Sequence, residues 1–120
     1  MSETPKPRLE SLVDVWDECV RRFPRKTAVI AGGEGHSYAE LDRRVRSLAG
    51  ALAGRYKVKK GDRVGIMMRN SLEFFIGYWA AHRAGAVVSA VSMRLAEREA
   101  TYVVRTSGAR VLLRLSLIHI

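Results

Sequence analysis

The segment Lys60 to Val91, KGDRVGIMMRNSLEFFIGYWAAHRAGAVVSAV, constrains this chain most, because it passes from strand to helix to strand with a stop signal at each change. Gly61 and Asp62 read as a turn that releases an apolar run, Arg63 to Met68, too evenly apolar for a half-solvated sheet edge; a buried strand is predicted. Asn70 reads as a helix N-cap, with Glu73 three residues on to answer the free N–H groups of the first turn. From Leu72 to Ala84, the residues Phe74, Phe75, Ile76, Tyr78, Trp79, Ala80 and Ala81 cover nearly the whole circumference, which predicts a helix buried between layers. His82 and Arg83 fall at its end, where cations suit the helix dipole, and Gly85 is the expected left-handed cap. Ala86 to Val91 is a second apolar strand, so the unit reads as βαβ.

The flanking sequence extends this pattern in both directions. Ser11 caps a first helix with Asp14 three residues on, and Leu12, Val15, Trp16, Cys19, Val20 and Phe23 recur at helical spacing until Pro24 ends it. Thr27 to Ala31, a turn at Gly32 to Gly35, and His36 to Tyr38 read as a hairpin. The glycines there do not complete a phosphate-binding G-x-G-x-x-G, because Tyr38 stands at the last position and the turn joins two strands instead of opening a helix. Ser37 and Glu40 form a capping box for a second helix with Leu41, Val45, Leu48, Ala49, Leu52, Ala53 and Tyr56 on one face. After the βαβ unit, Leu95 to Ser107 reads as a helix with Ala100, Val103 and Val104 inward. Gly108 caps it, and Arg110 to Leu113 begins another strand. The order from Asp62 onward is βαβαβ, an α/β fold with a parallel sheet flanked by helices.

With 120 residues, 48% of them hydrophobic and 28% charged, the chain can bury one modest core, so one domain or part of one is predicted. Cys19 has no second cysteine to pair with and lacks the paired spacing of a zinc site; on the apolar stripe of the first helix it reads as a buried structural thiol. The opening MSETPKPRLE, residues 1–10, is polar and proline-containing and reads as a disordered leader on a cytoplasmic protein, with no signal-peptide core. The longest apolar region, Phe74 to Val91, carries His82 and Arg83 near its middle, which argues against a transmembrane segment. The formal charge of +9 comes from scattered groups: Arg21, Arg22, Arg25 and Lys26; Arg43, Arg44 and Arg46; Lys57, Lys59, Lys60 and Arg63. No helix-turn-helix, finger or base-stacking motif accompanies them, so a solvated basic surface is expected and no nucleic-acid partner.

Right-handed crossovers make the three predicted strands parallel, with their carboxyl ends on one edge, where open α/β sheets bind ligands. The residues placed there are Arg69 and Asn70 after one strand and Ser92, Met93 and Arg94 after the next. Asn70 has a structural task as a cap and Arg69 can be merely solvated. Arg94 is the better site candidate, with a surface role as its alternative.

In this order, Y-x-E-L, G-D-R-V, N-S-x-E-F, A-G-A-V and S-G-A-R resemble the N-terminal part of the AMP-forming acyl-CoA synthetases. That adenylate-forming superfamily also holds aryl-CoA ligases, luciferases and peptide-synthetase adenylation domains. The matching blocks are LVDVWDECVRRFPRKTAVI, SYAELDRRVRSLAGAL, KKGDRVGIMMRNSLEFFIGYWAAHRAGAVVSAVSMRL and EATYVVRTSGARVLL, nearly everything from Leu12 to Leu113. The resemblance implies part of the synthetase large domain, left incomplete. It also implies a two-step ligation: a carboxylic acid, among them fatty acids, attacks the α-phosphate of ATP with Mg²⁺, and the thiol of coenzyme A then displaces AMP. The family's phosphate loop, Mg²⁺-holding Glu, ribose-binding Asp and late Lys all lie downstream of these blocks, so no catalytic residue and no metal ligand is carried over, and none of these cofactors is expected to bind the present chain well. One position is carried over. The family often has N-P-R-L where this chain has Ser92-Met93-Arg94-Leu95, and in some CoA ligases that Arg lies near the phosphates of CoA's nucleotide, which implies a CoA phosphate contact for Arg94. Met93 replaces the proline and removes its fixed φ.

Residues 11–114 are therefore expected to form a partial N-terminal AMP-binding domain. The last six residues, Leu115 to Ile120, match the translation of CTG TCT CTT ATA CAC ATC, which resembles a transposon mosaic-end adapter used in sequencing libraries; residues 115–120 are expected to be a sequencing artefact, and His119 is not read as a ligand. The bland alternative is a native apolar strand ending a short protein. By itself the segment is expected to be inactive and to aggregate or pack loosely, since later layers would cover its apolar surfaces. Two other readings stay open: a peptide-synthetase adenylation domain, and a non-catalytic α/β module binding nucleotide or nucleic acid.

Overall fold

The computed structural model describes residues 11–69, 71–92, 94 and 97–114. Its elements run α1 (Leu12–Arg22), β1 (Thr27–Ala31), β2 (Glu34–Ser37), α2 (Tyr38–Gly54), β3 (Arg63–Met67), α3 (Leu72–Arg83), β4 (Val87–Ala90), α4 (Glu97–Ser107) and β5 (Ala109–Arg114). The chain divides into two compact units, Met1–Asp42 and Arg43–Ile120.

In the first unit, Ser11 caps α1 as its sequence predicts, its hydroxyl accepting from the Asp14 N–H. The apolar stripe of α1 is buried only at Trp16, which is 3% exposed; Leu12, Val15 and Phe23 are exposed and Cys19 is half-buried, which corrects the prediction of a buried thiol. The physical reason is local. Trp16 is held within this unit by its indole, whose N–H donates to Asp42 Oδ1 at 2.8 Å and whose ring meets Tyr38 at 5.6 Å, while the rest of the stripe keeps contact with solvent. β1 and β2 pair antiparallel as the predicted hairpin. Ser37 then caps α2 through the Glu40 N–H, while the Glu40 carboxylate meets His36 Nδ1 at 3.2 Å. Along α2, Leu41, Val45, Ala49 and Leu52 are buried, whereas Ala53 and Tyr56 at the end of the predicted stripe are exposed.

The second unit contains the parallel sheet, in the order β4-β3-β5. Val64 and Ile66 of the central strand are fully buried, as an apolar strand with neighbours on both sides should be. Gly77 sits where α3 crosses the sheet: a Cβ there would lie 3.3 Å from Leu113 Cδ1 and 3.7 Å from Ile66 Cδ1, so its small size permits close approach. Right-handed connection of β4 to β5, on the far side of β3, places α4 on the opposite face. There the Arg63 guanidinium donates to the Ser107 carbonyl, one of the acceptors left open at the end of α4.

Two expectations about α3 change. The cap is Ser71, whose hydroxyl accepts from the Phe74 N–H at 3.1 Å; Asn70, the residue expected to cap it, lies outside the described residues. Nor is the helix buried all round. Ile76, Gly77, Ala80 and Ala81 are buried and form the face toward the sheet, while Phe74, Phe75, Tyr78 and Trp79 on the other side are only half-buried. Leu95 and Met93, placed by sequence at the start of α4 and in the loop before it, also lie outside the described residues, as do 1–10 and 115–120. Among the described residues no helix is long and apolar enough to cross a membrane.

Candidate functional site

The parallel register brings the carboxyl ends of three strands into line. Ile66 is paired with Ala90 and Leu113, and Met67 with Arg114, so the segments leaving β3 and β4 and the end of β5 share one edge. The N-terminus of α3, capped by Ser71, opens at the same edge and adds the positive end of its dipole. Of the residues that sequence placed here, Arg69 and Arg94 are both exposed, Arg94 in a turn where its backbone N–H donates to Ser92 Oγ at 3.2 Å. That bond holds the turn by a side chain, where a proline would have held it by its ring. Asn70 and Met93 lie outside the described residues.

Sequence reasoning missed a third cation at this edge. Arg114 ends β5, is exposed, and stands beside Met67 in the pairing of β5 with β3. A strand pattern alone marks Arg114 as a terminal polar residue; only the register shows which edge it joins. Among the described residues none of the three edge arginines enters an ion pair, whereas Arg21 and Arg22 share Glu18 and Arg110 lies 3.9 Å from Asp62. Chemically the edge offers donors for an anion. Among the described residues no three His, Cys, Asp or Glu side chains converge as metal ligands would.

Two open grooves lie elsewhere on this unit. One, of about 390 Å³, is lined by Ser71, Phe74, Phe75, Tyr78 and Trp79 along the outer face of α3. Next to it, His82 packs edge-on against Tyr78 with ring centroids 4.5 Å apart, and burial holds its imidazole below the ordinary histidine pKa. The other, of about 570 Å³, is lined by Arg98, Thr101, Tyr102 and Arg105 on α4. Of the predicted inward face of α4, Ala100 is buried while Val103 and Val104 are only half-buried, and the opposite face leaves Tyr102 71% exposed.

The model of a family described as AMP-binding enzyme matches residues 16–118. The chain is similar to a long-chain-fatty-acid–CoA ligase of Haemophilus influenzae, 33% identical over 102 residues, covering 85% of this chain and 18% of that protein. It is also similar to a 3-hydroxybenzoate–CoA ligase of Aromatoleum sp., 36% identical over 85 residues, covering 71% of this chain and 16% of the relative. Among solved structures it resembles Klebsiella oxytoca NpsA in complex with 3-hydroxyanthranilyl-AMSN, with a TM-score of 0.81 and 31% identity, covering 94% of this chain and 23% of that one. The chain thus spans about a fifth of the length of the curated relatives it matches.

Proposed function

Because the chain belongs to the AMP-binding enzyme family, we propose that it is part of a carboxylic acid–CoA ligase whose substrate is a fatty acid. In that reaction a carboxylate oxygen attacks the α-phosphorus of ATP and pyrophosphate leaves. The thiolate of coenzyme A then attacks the acyl carbon of the adenylate and AMP leaves. The observation that carries this reading within the chain is Arg94: an exposed guanidinium in the turn after β4, at the edge where a parallel sheet receives ligands, suits a phosphate of coenzyme A. Residues 11–114 would then be the opening portion of the AMP-binding domain in a cytoplasmic enzyme. Mg²⁺ would serve the same reaction by neutralising phosphate charge, and no step is assigned to it in this chain.

The test begins with the genomic sequence read through and beyond the codon for Leu113, followed by assay of the protein it encodes with ATP, Mg²⁺, coenzyme A and a panel containing palmitate and 3-hydroxybenzoate. The expected result is carboxylate-dependent release of AMP with formation of palmitoyl-CoA. Protein that releases no pyrophosphate with any carboxylate would sink the ligase reading.

A second reading draws on the likeness to NpsA and to the benzoate ligase: an aryl acid as substrate, with a carrier-protein thiol in place of coenzyme A. Adenylate formation from 3-hydroxybenzoate without consumption of coenzyme A, together with carrier-protein sequence in the same gene, would favour it.

A further inference from the structure

The amino edge of the parallel sheet, opposite the edge described above, gathers cations that the fold does not use. Arg55, Lys57, Lys59, Lys60, Arg63 and Arg110 stand there, and the segments that form the edge hold a single acid, Asp62. Contacts join these residues into one surface. The Arg110 Nε donates to the Tyr56 carbonyl at 3.3 Å and lies 3.9 Å from Asp62 Oδ2, which accepts from the Lys59 N–H at 2.8 Å. The Val87 N–H donates to the Asp62 carbonyl at 2.8 Å and the Gly61 N–H to the Gly85 carbonyl at 2.9 Å. Arg63 pairs with Val87 on one side and Ala109 on the other.

The arginines of this edge are engaged within the chain. Arg63 braces the end of α4, Arg110 ties β5 to the segment after α2, and the Arg55 guanidinium lies 5.7 Å from the centre of the Tyr56 ring. The lysines are not. Lys57, Lys59 and Lys60 are exposed, and among the described residues their ammonium groups meet no carboxylate. The helix dipoles do not need them either, since α3 and α4 end here with their own cations, Arg83 and Arg105. Lys57 also holds φ at +54°, a left-handed position after α2 that glycine would fill without strain, and the Val58 N–H, bonded to the Leu52 carbonyl at 2.8 Å, keeps it there. A lysine at a glycine position, in a run of like charges, points to a role outside the fold. Two apolar side chains share the edge, Tyr56 at 48% and Val87 at 53% exposed.

We infer that this amino edge docks onto a membrane surface carrying anionic lipids. Lysines on flexible stems are compact, mobile charges suited to a fluid layer of headgroups, whereas a partner of fixed shape favours guanidinium forks, which here are already engaged. Tyr56 adds a ring with an apolar body and a polar tip, the kind that suits a lipid interface, and Val87 adds an apolar contact. A nucleic acid would call for further rings to stack bases, and Tyr56 is the only aromatic residue in the segments that form the edge. β3 is five residues long, so the carboxyl edge stands about 16 Å away and stays open to water.

Flotation of the whole 120-residue chain with vesicles tests this, because bound chain rises with the lipid while aggregated chain sinks. Vesicles of phosphatidylcholine alone are compared with vesicles containing about 30% phosphatidylglycerol. The expected result is flotation with anionic vesicles, little with neutral ones, and its loss at about 0.5 M KCl, where the charges are screened. Each lysine close to an anionic surface contributes about a factor of five, or about a hundredfold for three. K57Q, K59Q and K60Q combined should therefore lower the partition coefficient by at least about tenfold, allowing for lysines that stand partly off the surface. R43Q, R44Q and R46Q combined remove the same charge from the first half of α2 and should lower it by less than about threefold.

Flotation of the triple lysine variant equal to that of the unsubstituted chain overturns the docking edge. Equal loss in the two triple variants is an effect of net charge alone and overturns it as well. Equal flotation with neutral and anionic vesicles assigns binding to apolar surface, against the inference. A chain that retards duplex RNA in a gel and does not float has a nucleic-acid partner in place of a membrane, and a chain that does neither has no such docking edge.

Discussion

Replacing Gly85 by alanine tests whether the turn between α3 and β4 is as tight as the structure has it. Gly85 holds φ at +85° and is locked from both sides, its N–H donating to the His82 carbonyl at 3.0 Å and its own carbonyl accepting from the Gly61 N–H at 2.9 Å. A side chain there meets two separate penalties. The left-handed backbone costs a non-glycine residue about 1–2 kcal/mol. The added Cβ would also lie 3.1 Å from the Lys60 Cα, a backbone atom that cannot rotate away, so chain must shift at a cost of about 1–3 kcal/mol. Lower entropy of the unfolded alanine chain returns about 0.4–1 kcal/mol. The expected net loss for G85A is therefore roughly 1–4.5 kcal/mol, centred near 3. Gly61 supplies the control: its φ is +88°, but nothing lies within 4 Å of a Cβ built on it, so G61A incurs only the backbone penalty and should lose roughly 1 kcal/mol. Urea unfolding of dilute protein followed by circular dichroism measures both, and the comparison holds if the denaturant slope is unchanged. Equal losses in the two variants would refute the close approach of Gly85 to Lys60, and an unchanged midpoint in G85A would refute the left-handed turn as well.

Trp16→Phe keeps most of the ring but removes the indole donor to Asp42, a contact between side chains that are 3% and 9% exposed; a loss of about 1.5–3 kcal/mol is expected in the same urea assay. Phe75→Gln combined with Trp79→Gln should reduce self-association in sedimentation velocity without lowering the urea midpoint, because both residues are on the face of α3 away from the sheet; unchanged association would show that this face is not what associates. His82 predicts a pH effect of one sign. Burial lowers its folded pKa below 6.5, so the unfolded chain takes up the proton first, and the stability this neutral imidazole contributes is complete above pH 6.5 and lost as pH falls through the folded value. His82→Gln should flatten that part of the stability–pH curve, and an identical curve in the variant would assign the effect elsewhere.

The order of elements was legible in the sequence because they carry local signals: capping hydroxyls at Ser11 and Ser37 before α1 and α2, glycine after α3 and α4, and apolar runs between them. The cap of α3 was misplaced by one residue for a chemical reason. Asn70 and Ser71 are adjacent and both are good caps, so composition cannot choose between them; only the hydrogen bond from the Phe74 N–H to the Ser71 hydroxyl does. The burial of α3 was misread because periodicity reports which positions are apolar and not how many layers stand against them. Its small residues, Gly77, Ala80 and Ala81, turn inward because a helix close to a sheet leaves little room, and its large aromatics are displaced to the other side. Arg114 shows the same limit at the site. As sequence it is the last polar residue of a strand; the pairing of Met67 with Arg114 places it at the carboxyl edge of the sheet. Residues that serve a fold locally announce themselves by spacing, and residues that meet across strands do so only through register, which depends on the whole sheet.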